Sequence, residues 1–207
     1  MNLLHETWEL LFPKECAGCA APGQILCGQC KRVWSAPPQQ ISLRIDPGVP
    51  IYSLGVLGGP RRRTIIHLKE RGRTDVAPHL GAVLHAAIRH LQAGGWVDED
   101  ITLIPAPTRR SAARRRGGDV VTRICQETSY RVVPCLYLNE HTTESVGLSA
   151  AERAANLTGA ITCTQKPTGH VLIVDDVLTT GATATAAVRA LTSKGVKVRG
   201  VLGLSHA

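Results

Sequence analysis

The chain has 207 residues, 43% of them hydrophobic, enough for one α/β core with a small appendage, and this composition excludes a disordered polymer. Its 24 Lys and Arg against 16 Asp and Glu give a formal charge of +8, which suits a polyanionic partner, while three Trp, three Tyr and one Phe leave little material for a base-stacking platform. No apolar run is long enough to span a bilayer, and Glu6 and Glu9 stand where a secretory leader would be basic, so the sequence reads as cytoplasmic and without membrane insertion.

Residues 3–11 set Leu3, Leu4, Trp8 and Leu11 on one side of a short helix that Pro13 ends, and this helix is expected to pack as a lid on the element that follows. That element is Cys16-Ala-Gly-Cys19 and, after seven intervening residues, Cys27-Gly-Gln-Cys30. Two C-x2-C knuckles supply four thiolates for a tetrahedral, structural Zn²⁺ with ligand distances of about 2.3 Å and no open position for a catalytic water. Two disulfides or four free thiols are the alternatives, and a cytosolic chain disfavours the disulfides. Cys125, Cys135 and Cys163 stand apart in sequence and read as ordinary buried thiols.

Pro37-Pro38, Pro47, Gly48 and Pro50 mark a linker, which puts a domain boundary near residue 45 and divides the chain into 1–45 and 46–207. Residues 51–57 read as a strand, Gly58-Gly59-Pro60 as a turn and residues 61–72 as a helix. Arg61, Arg62, Arg63, Lys69, Arg71 and Arg73 make that helix basic, either as a solvated face or as a phosphate-binding surface. Residues 75–93 carry Val76, Leu80, Val83, Leu84, Ala87 and Leu91 at helical spacing. A short strand over 101–104 ends at Pro105-Ala-Pro107. The following loop holds Arg109, Arg110, Arg114, Arg115 and Arg116, whose guanidiniums can grip a diphosphate by bidentate hydrogen bonds, a solvated loop being the alternative.

A helix over 119–127 and a strand over 131–138 continue the alternation. Residues 139–147 are polar and aperiodic, as an active-site loop would be, and Ser149-Ala-Ala-Glu152 has capping-box spacing that puts Arg153 and Asn156 on a short helix beside it. Residues 171–174 (Val-Leu-Ile-Val) form an apolar run without alternation, as in a parallel strand buried on both faces. The run is expected to stop at Asp175 and Asp176 and to pass through the small residues Thr179, Thr180, Gly181, Ala182 and Thr183 into a helix over 182–191. Residues 196–204 close a mainly parallel sheet with flanking helices.

Loops at the carboxyl ends of parallel strands are where open α/β sheets bind ligands. Small residues let backbone N–H groups approach a phosphate at a helix N-terminus, and paired carboxylates accept hydrogen bonds from neighbouring sugar hydroxyls, so the stretch describes a ribose 5-phosphate pocket. The alternative is a plain strand, acidic turn and alanine-rich helix.

Residues 171–183 resemble the phosphoribosyl-pyrophosphate (PRPP) signature of type I phosphoribosyltransferases. With the four cysteines, Ile65-Ile-His-Leu-Lys69-Glu-Arg71-Gly72, Ile104-Pro-Ala-Pro107 and Gly147-Leu-Ser-Ala-Ala-Glu-Arg153-Ala-Ala-Asn156-Leu, nearly the whole chain resembles the ComF family of competence-associated, phosphoribosyltransferase-like proteins. The pattern departs from that family after Arg116-Gly117, where the family's Phe-Asn-Gln is replaced by Gly118-Asp119-Val120. The resemblance implies a type I phosphoribosyltransferase-like sheet behind a small zinc-ribbon-like domain. It also implies binding of PRPP with Mg²⁺, and displacement of pyrophosphate at the anomeric carbon by an acceptor the sequence does not identify. Asp175 and Asp176 would hold the ribose and residues 179–183 the 5-phosphate. Lys69, Arg71, Arg153 and the arginine loop would meet pyrophosphate or DNA phosphates. In the competing reading the chain is a non-catalytic phosphate-binding factor whose partners are single-stranded DNA and competence or DNA-uptake proteins.

Overall fold

The computed structural model describes residues 14–108, 118–138 and 161–207. The expected helix over 3–11, the arginines 109, 110, 114, 115 and 116, the loop over 139–147 and the capping box with Arg153 and Asn156 lie outside the described residues.

The cysteine knuckles lead into α1 (Gly28–Trp34), and a short edge strand β1 (Gln39–Gln40) precedes β2 (Ile51–Ser53). Two helices follow. The first, α2 (Gly59–Glu70), has a proline in its opening turn, where the missing N–H costs nothing, and α3 (Ala77–Ala93) presents the apolar stripe read from its spacing. Next come β3 (Ile101–Pro105), α4 (Val120–Gln126), β4 (Arg131–Val132), β5 (Leu136–Leu138), β6 (Ile161–Cys163), β7 (His170–Leu178), α5 (Ala182–Thr192) and β8 (Lys197–His206).

The main sheet has the order β1-β2-β8-β7-β3-β4, parallel except for β1, and β5 pairs with β6 in a separate antiparallel ribbon. Side chains alternate across β7, yet both faces are apolar because each is covered. Leu172 and Val174 pack with Leu68, Leu80, Leu84 and Ile124 from α2, α3 and α4, whereas Val171 and Ile173 pack with Ala187, Val188 and Leu191 of α5. Cys16, Ala17, Leu26, Cys30 and Trp34 belong to the first of these clusters, so the cysteine module and the sheet share one core.

Three expectations change. The strand expected over 131–138 is two strands in two different sheets. Pro134 has no N–H for a ladder, and after Val133 donates its last bond to the Leu103 carbonyl the chain turns and β5 seeks β6, a strand the sequence did not announce. The strand at 171 does not stop at the carboxylates: β7 runs through Asp175 and Asp176 to Leu178 because β8 continues beside it, pairing Asp175 with Gly203 and Leu178 with His206. Within the linker, Gln39 and Gln40 pair with Tyr52 and Ser53 as an edge strand.

Candidate functional site

The chain leaves β3 toward β4 on one side of the sheet and β7 toward β8 on the other, so the carboxyl ends of β3 and β7 flank the point where strand order reverses. Open α/β sheets bind ligands at this crevice. On its β7 side stand Asp175 and Asp176. Asp176 is buried, at 7% exposure, and its carboxylate is held by Lys69 Nζ of α2 at 2.6 Å. The Asp176 N–H donates to Asp175 Oδ1 at 2.8 Å. Burial, then the neighbouring Asp176 charge, push the Asp175 carboxyl up to about 7, against the pull of that N–H and of Lys69. Asp175 is therefore close to half-protonated at neutral pH.

Beyond Leu178 the loop over 179–181 delivers the chain to α5. Gly181 adopts φ 90°, and a Cβ there would lie 2.2 Å from the carbonyl oxygen of Ile45, so glycine is demanded by both the backbone conformation and the space. Ile45 in turn donates its N–H to the Thr180 carbonyl at 2.9 Å. The linker is thus a wall of this loop, a role that its Pro and Gly content did not signal. Among the described residues no side chain caps the Gly181 position, and Thr180 Oγ1 accepts from Ala182 N at 3.4 Å. An uncapped helix start with small residues around it is an anion-binding geometry.

On the β3 side, Thr108 Oγ1 donates to Asp119 Oδ1 at 2.8 Å, which ties together the two ends of the segment that carries the arginine loop. Asp119 is the N-cap of α4, accepting from the N–H groups of Val121 and Thr122 and from Thr122 Oγ1. Its negative charge also raises the Asp175 carboxyl. The departure from the family pattern at 118–120 thus has a structural role, and Asp119 is a third carboxylate near the pair that sequence reasoning missed; its spacing before an apolar helix was the available signal. Arg71 does not join Lys69 at the carboxylates. It is exposed, and its charge acts instead on His67, which burial and then Arg71 hold below the ordinary histidine range.

At the other end of the module, the four Sγ atoms of Cys16, Cys19, Cys27 and Cys30 all lie within 4.8 Å of one another, with Cys19 and Cys27 3.6 Å apart. A tetrahedron with bonds of about 2.3 Å has edges close to that separation, so the donor set fits a structural metal such as zinc. A Cβ on Gly18 would come 2.6 Å from Cys30 Sγ, so the knuckle closes only around glycine. Burial raises the Cys16 thiol, but N–H groups of Cys27 and Gly18 aimed at its sulfur outweigh that and bring it to about 6, toward the thiolate a metal needs. The remaining cysteines are buried, as expected, but Cys135 and Cys163 are neighbours across the β5–β6 ribbon; burial pushes Cys135 up to about 12, so it is an inert thiol. No described helix is long and apolar enough to cross a membrane.

No family model matches the chain. The DNA utilization protein YhgH of Escherichia coli O157:H7 is 28% identical over 191 residues, 87% of this chain and 78% of that protein. Its namesake in Shigella flexneri is 27% identical over 190 residues with the same coverage. Competence protein F of Haemophilus influenzae is 30% identical over 138 residues, 62% of this chain and 60% of that protein. Among solved structures, orotate phosphoribosyltransferase of Mycobacterium tuberculosis in complex with Fe(III) dicitrate aligns with 84% of this chain and 94% of its own, at a TM-score of 0.31 and 12% identity, too loosely to transfer residue roles. The chain is an α/β protein with two adjacent aspartates toward the carboxyl edge of a mostly parallel sheet and a four-cysteine module packed on one face. It is similar to a DNA utilization protein over 87% of its length and to a competence protein over 62%.

Proposed function

We propose that the chain binds PRPP at the carboxyl edge of β7 and transfers its phosphoribosyl group to an acceptor with release of pyrophosphate. The observation that carries this reading is the uncapped N-terminus of α5 behind Gly181, one loop away from Asp175 and the buried Asp176. The first-turn N–H groups of α5, with the hydroxyls of Thr179, Thr180 and Thr183, receive the 5-phosphate. Asp175 and Asp176 accept hydrogen bonds from the ribose hydroxyls and, as anions, favour positive charge developing on the ring. Lys69 is held on Asp176 and lies ready to turn toward the diphosphate, which Arg109, Arg110, Arg114, Arg115, Arg116 and Arg153 also meet in this reading. Mg²⁺, when bound with PRPP, neutralises charge on the leaving diphosphate, and Asp175 and Asp176 are the carboxylates that would hold it, a donor set suited to a hard cation that keeps most of its waters. The metal in the cysteine module is structural zinc in this reading, since four protein sulfurs leave no open position.

A second reading is supported by the names of the relatives, a DNA utilization protein and a competence protein: a non-catalytic factor that holds single-stranded DNA through the same cationic groups. Calorimetric titration with PRPP and Mg²⁺, together with an assay for pyrophosphate release across a panel of bases and amines, separates the two. Asp176→Ala and Thr180→Val are each expected to weaken PRPP binding by about 1–3 kcal/mol through a lost charge-assisted bond. PRPP affinity equal in both variants and the parent would remove this site; PRPP binding without release for any acceptor would leave a sensor in place of an enzyme.

A further inference from the structure

The amino edge of the sheet carries the one exposed Trp, Tyr or Phe among the described residues, Trp96, at 49% exposure. Trp96 follows Gly94-Gly95 on the way from α3 to β3, and its N–H donates to the Leu91 carbonyl at 3.0 Å. Its ring folds back over the helix end, a place that a Cβ on Gly94 would crowd at 2.8 Å. There it stacks at 6.5 Å and 27° on the buried Tyr52 ring of β2, with His90 tilted beside it at 6.0 Å. Buried Gln92 pins the connection from within: its Nε2 donates to the carbonyls of Asp98 and Glu99, both at 3.0 Å, and its Oε1 accepts from Tyr130 Oη at 2.8 Å. An indole supported in this way has little rotamer freedom left to lose when a flat ring stacks on its open side.

The same edge is cationic. Ile101, Arg131, His170 and Lys197 stand at the amino ends of β3, β4, β7 and β8, which lie side by side. Asp98, two residues beyond Trp96, has its Oδ2 2.7 Å from Arg199 Nε and 3.0 Å from His170 Nδ1. That contact uses Nε of Arg199, and the two terminal nitrogens of the guanidinium form a fork that suits a phosphate. Burial raises the Tyr52 phenol and the Arg199 charge pulls it back, so the guanidinium lies close to the ring that backs Trp96. Beyond Arg199, His170 lines a pocket of about 420 Å³ with Lys166, Thr168 and Lys197, whose walls include no carboxylate. Arg131 Nη1 donates to Thr168 Oγ1 at 3.2 Å, and Arg131, Lys166, Lys194 and Lys197 are exposed. Of the three carboxylates on the neighbouring connection, Asp98 is held by Arg199 and Glu99 by Arg89 at 3.2 Å, and Asp100 is the third.

We propose that this edge binds single-stranded nucleic acid, with an unpaired base stacked on the open face of Trp96 and flanking phosphates on Arg199, Lys197 and Lys166. Two features select that partner. The open indole face takes the flat face of a base, which a duplex keeps inside its own stack. The cations continue from that ring past β8 to β7, two strand spacings or about 10 Å, as the phosphates of a strand would. A polyanion without flat rings, such as polyphosphate, would engage the lysines and leave the indole unused. The low aromatic content of the chain does not oppose this, because one rigid ring serves one base. These are not the cationic groups of the carboxyl edge, so the proposal stands whether or not that edge binds PRPP.

The test is fluorescence anisotropy of a labelled oligodeoxythymidylate of about 16 nucleotides with the full zinc-loaded chain, over a salt series, with indole emission followed in the same titrations. The parent is expected to bind and to lose part of its emission. Trp96→Phe is expected to abolish that emission loss while keeping most of the affinity, and Trp96→Ala to weaken binding about tenfold with the salt slope unchanged. Lys166→Gln/Lys197→Gln, at exposed positions, is expected to keep the quenching and to flatten the log–log salt slope by about 1.4, two phosphate contacts at about 0.7 each. PRPP affinity is expected to be unchanged in these variants, and Asp176→Ala is expected to bind the oligonucleotide as the parent does, so failure at the carboxyl edge and failure here are read separately. No binding by the parent overturns the proposal, as does parental affinity in Trp96→Ala; if that variant loses its far-ultraviolet dichroism, equal quenching in the parent and Trp96→Phe overturns it instead. A duplex, polyphosphate or thymidine monophosphate bound as tightly as the single strand overturns the choice of partner.

Discussion

Lys69 and Asp176 are the residues on which the proposed site turns. Asp176 is 7% exposed and Lys69 is its ion-pair partner at 2.6 Å, so Lys69→Met leaves a buried carboxylate without a counter-ion. That change is expected to destabilise the protein by about 1–3 kcal/mol, which urea unfolding will read. Its neighbour Asp175 gives a pH signature. Its folded pKa, about 7, lies above the ordinary 3.8, so its contribution to stability is complete below 3.8 and is lost as the pH rises through 7. Asp175→Asn is therefore expected to be more stable than the parent above pH 7, on the order of 1–2 kcal/mol, with the difference vanishing near pH 4. Unfolding midpoints over a pH series check this, and an offset independent of pH would refute it. Gly181 is the third such residue. A Cβ would meet the Ile45 carbonyl at 2.2 Å in a left-handed backbone, so Gly181→Ala is expected to cost at least about 1 kcal/mol and to weaken binding of the 5-phosphate; unchanged PRPP affinity would mean that the linker does not shape the loop.

Among the elements, the two cysteine knuckles and α5 were the most legible, because each is a local pattern with one chemical use: four thiols at C-x2-C spacing, and small residues opening an alanine-rich helix. The sulfurs do converge, within 4.8 Å, and elemental analysis is expected to return one zinc per chain. Cys27→Ser should lose that metal and loosen α1, because Cys27 is the residue that opens this helix. The strand over 131–138 was misread for a physical reason. Val132, Val133 and Leu136 are apolar on both sides of Pro134, and apolar content alone does not reveal that a missing N–H hands the two halves to different sheets. The linker was likewise read from its prolines, whereas Ile41 and Ile45 make backbone bonds to Ile51 and Thr180.

For the molecule as a whole, the question is whether the cysteine module and the sheet unfold together. A boundary near residue 45 between independent units predicts two transitions. The shared cluster of Cys16, Leu26 and Trp34 with Leu54, Ile65 and Leu80, with Arg61 stacked 5.6 Å over the Trp34 ring, predicts one, shifted to lower temperature by a zinc chelator. Differential scanning calorimetry with and without chelator decides between them. The sequence by itself determined what short-range chemistry encodes: the alternation of strands and helices, the doubly buried run over 171–174, the thiol knuckles and the glycine at 181 are each legible within a few neighbouring residues. Tertiary structure alone decided what depends on residues far apart in the chain. β7 extends through both carboxylates because β8 lies beside it, Asp176 is neutralised because α2 brings Lys69 from 107 positions away, and Ile45 closes on Gly181 because the linker folds back over the loop. Such contacts are selected by the packing of the whole core, which no local pattern of residue types records.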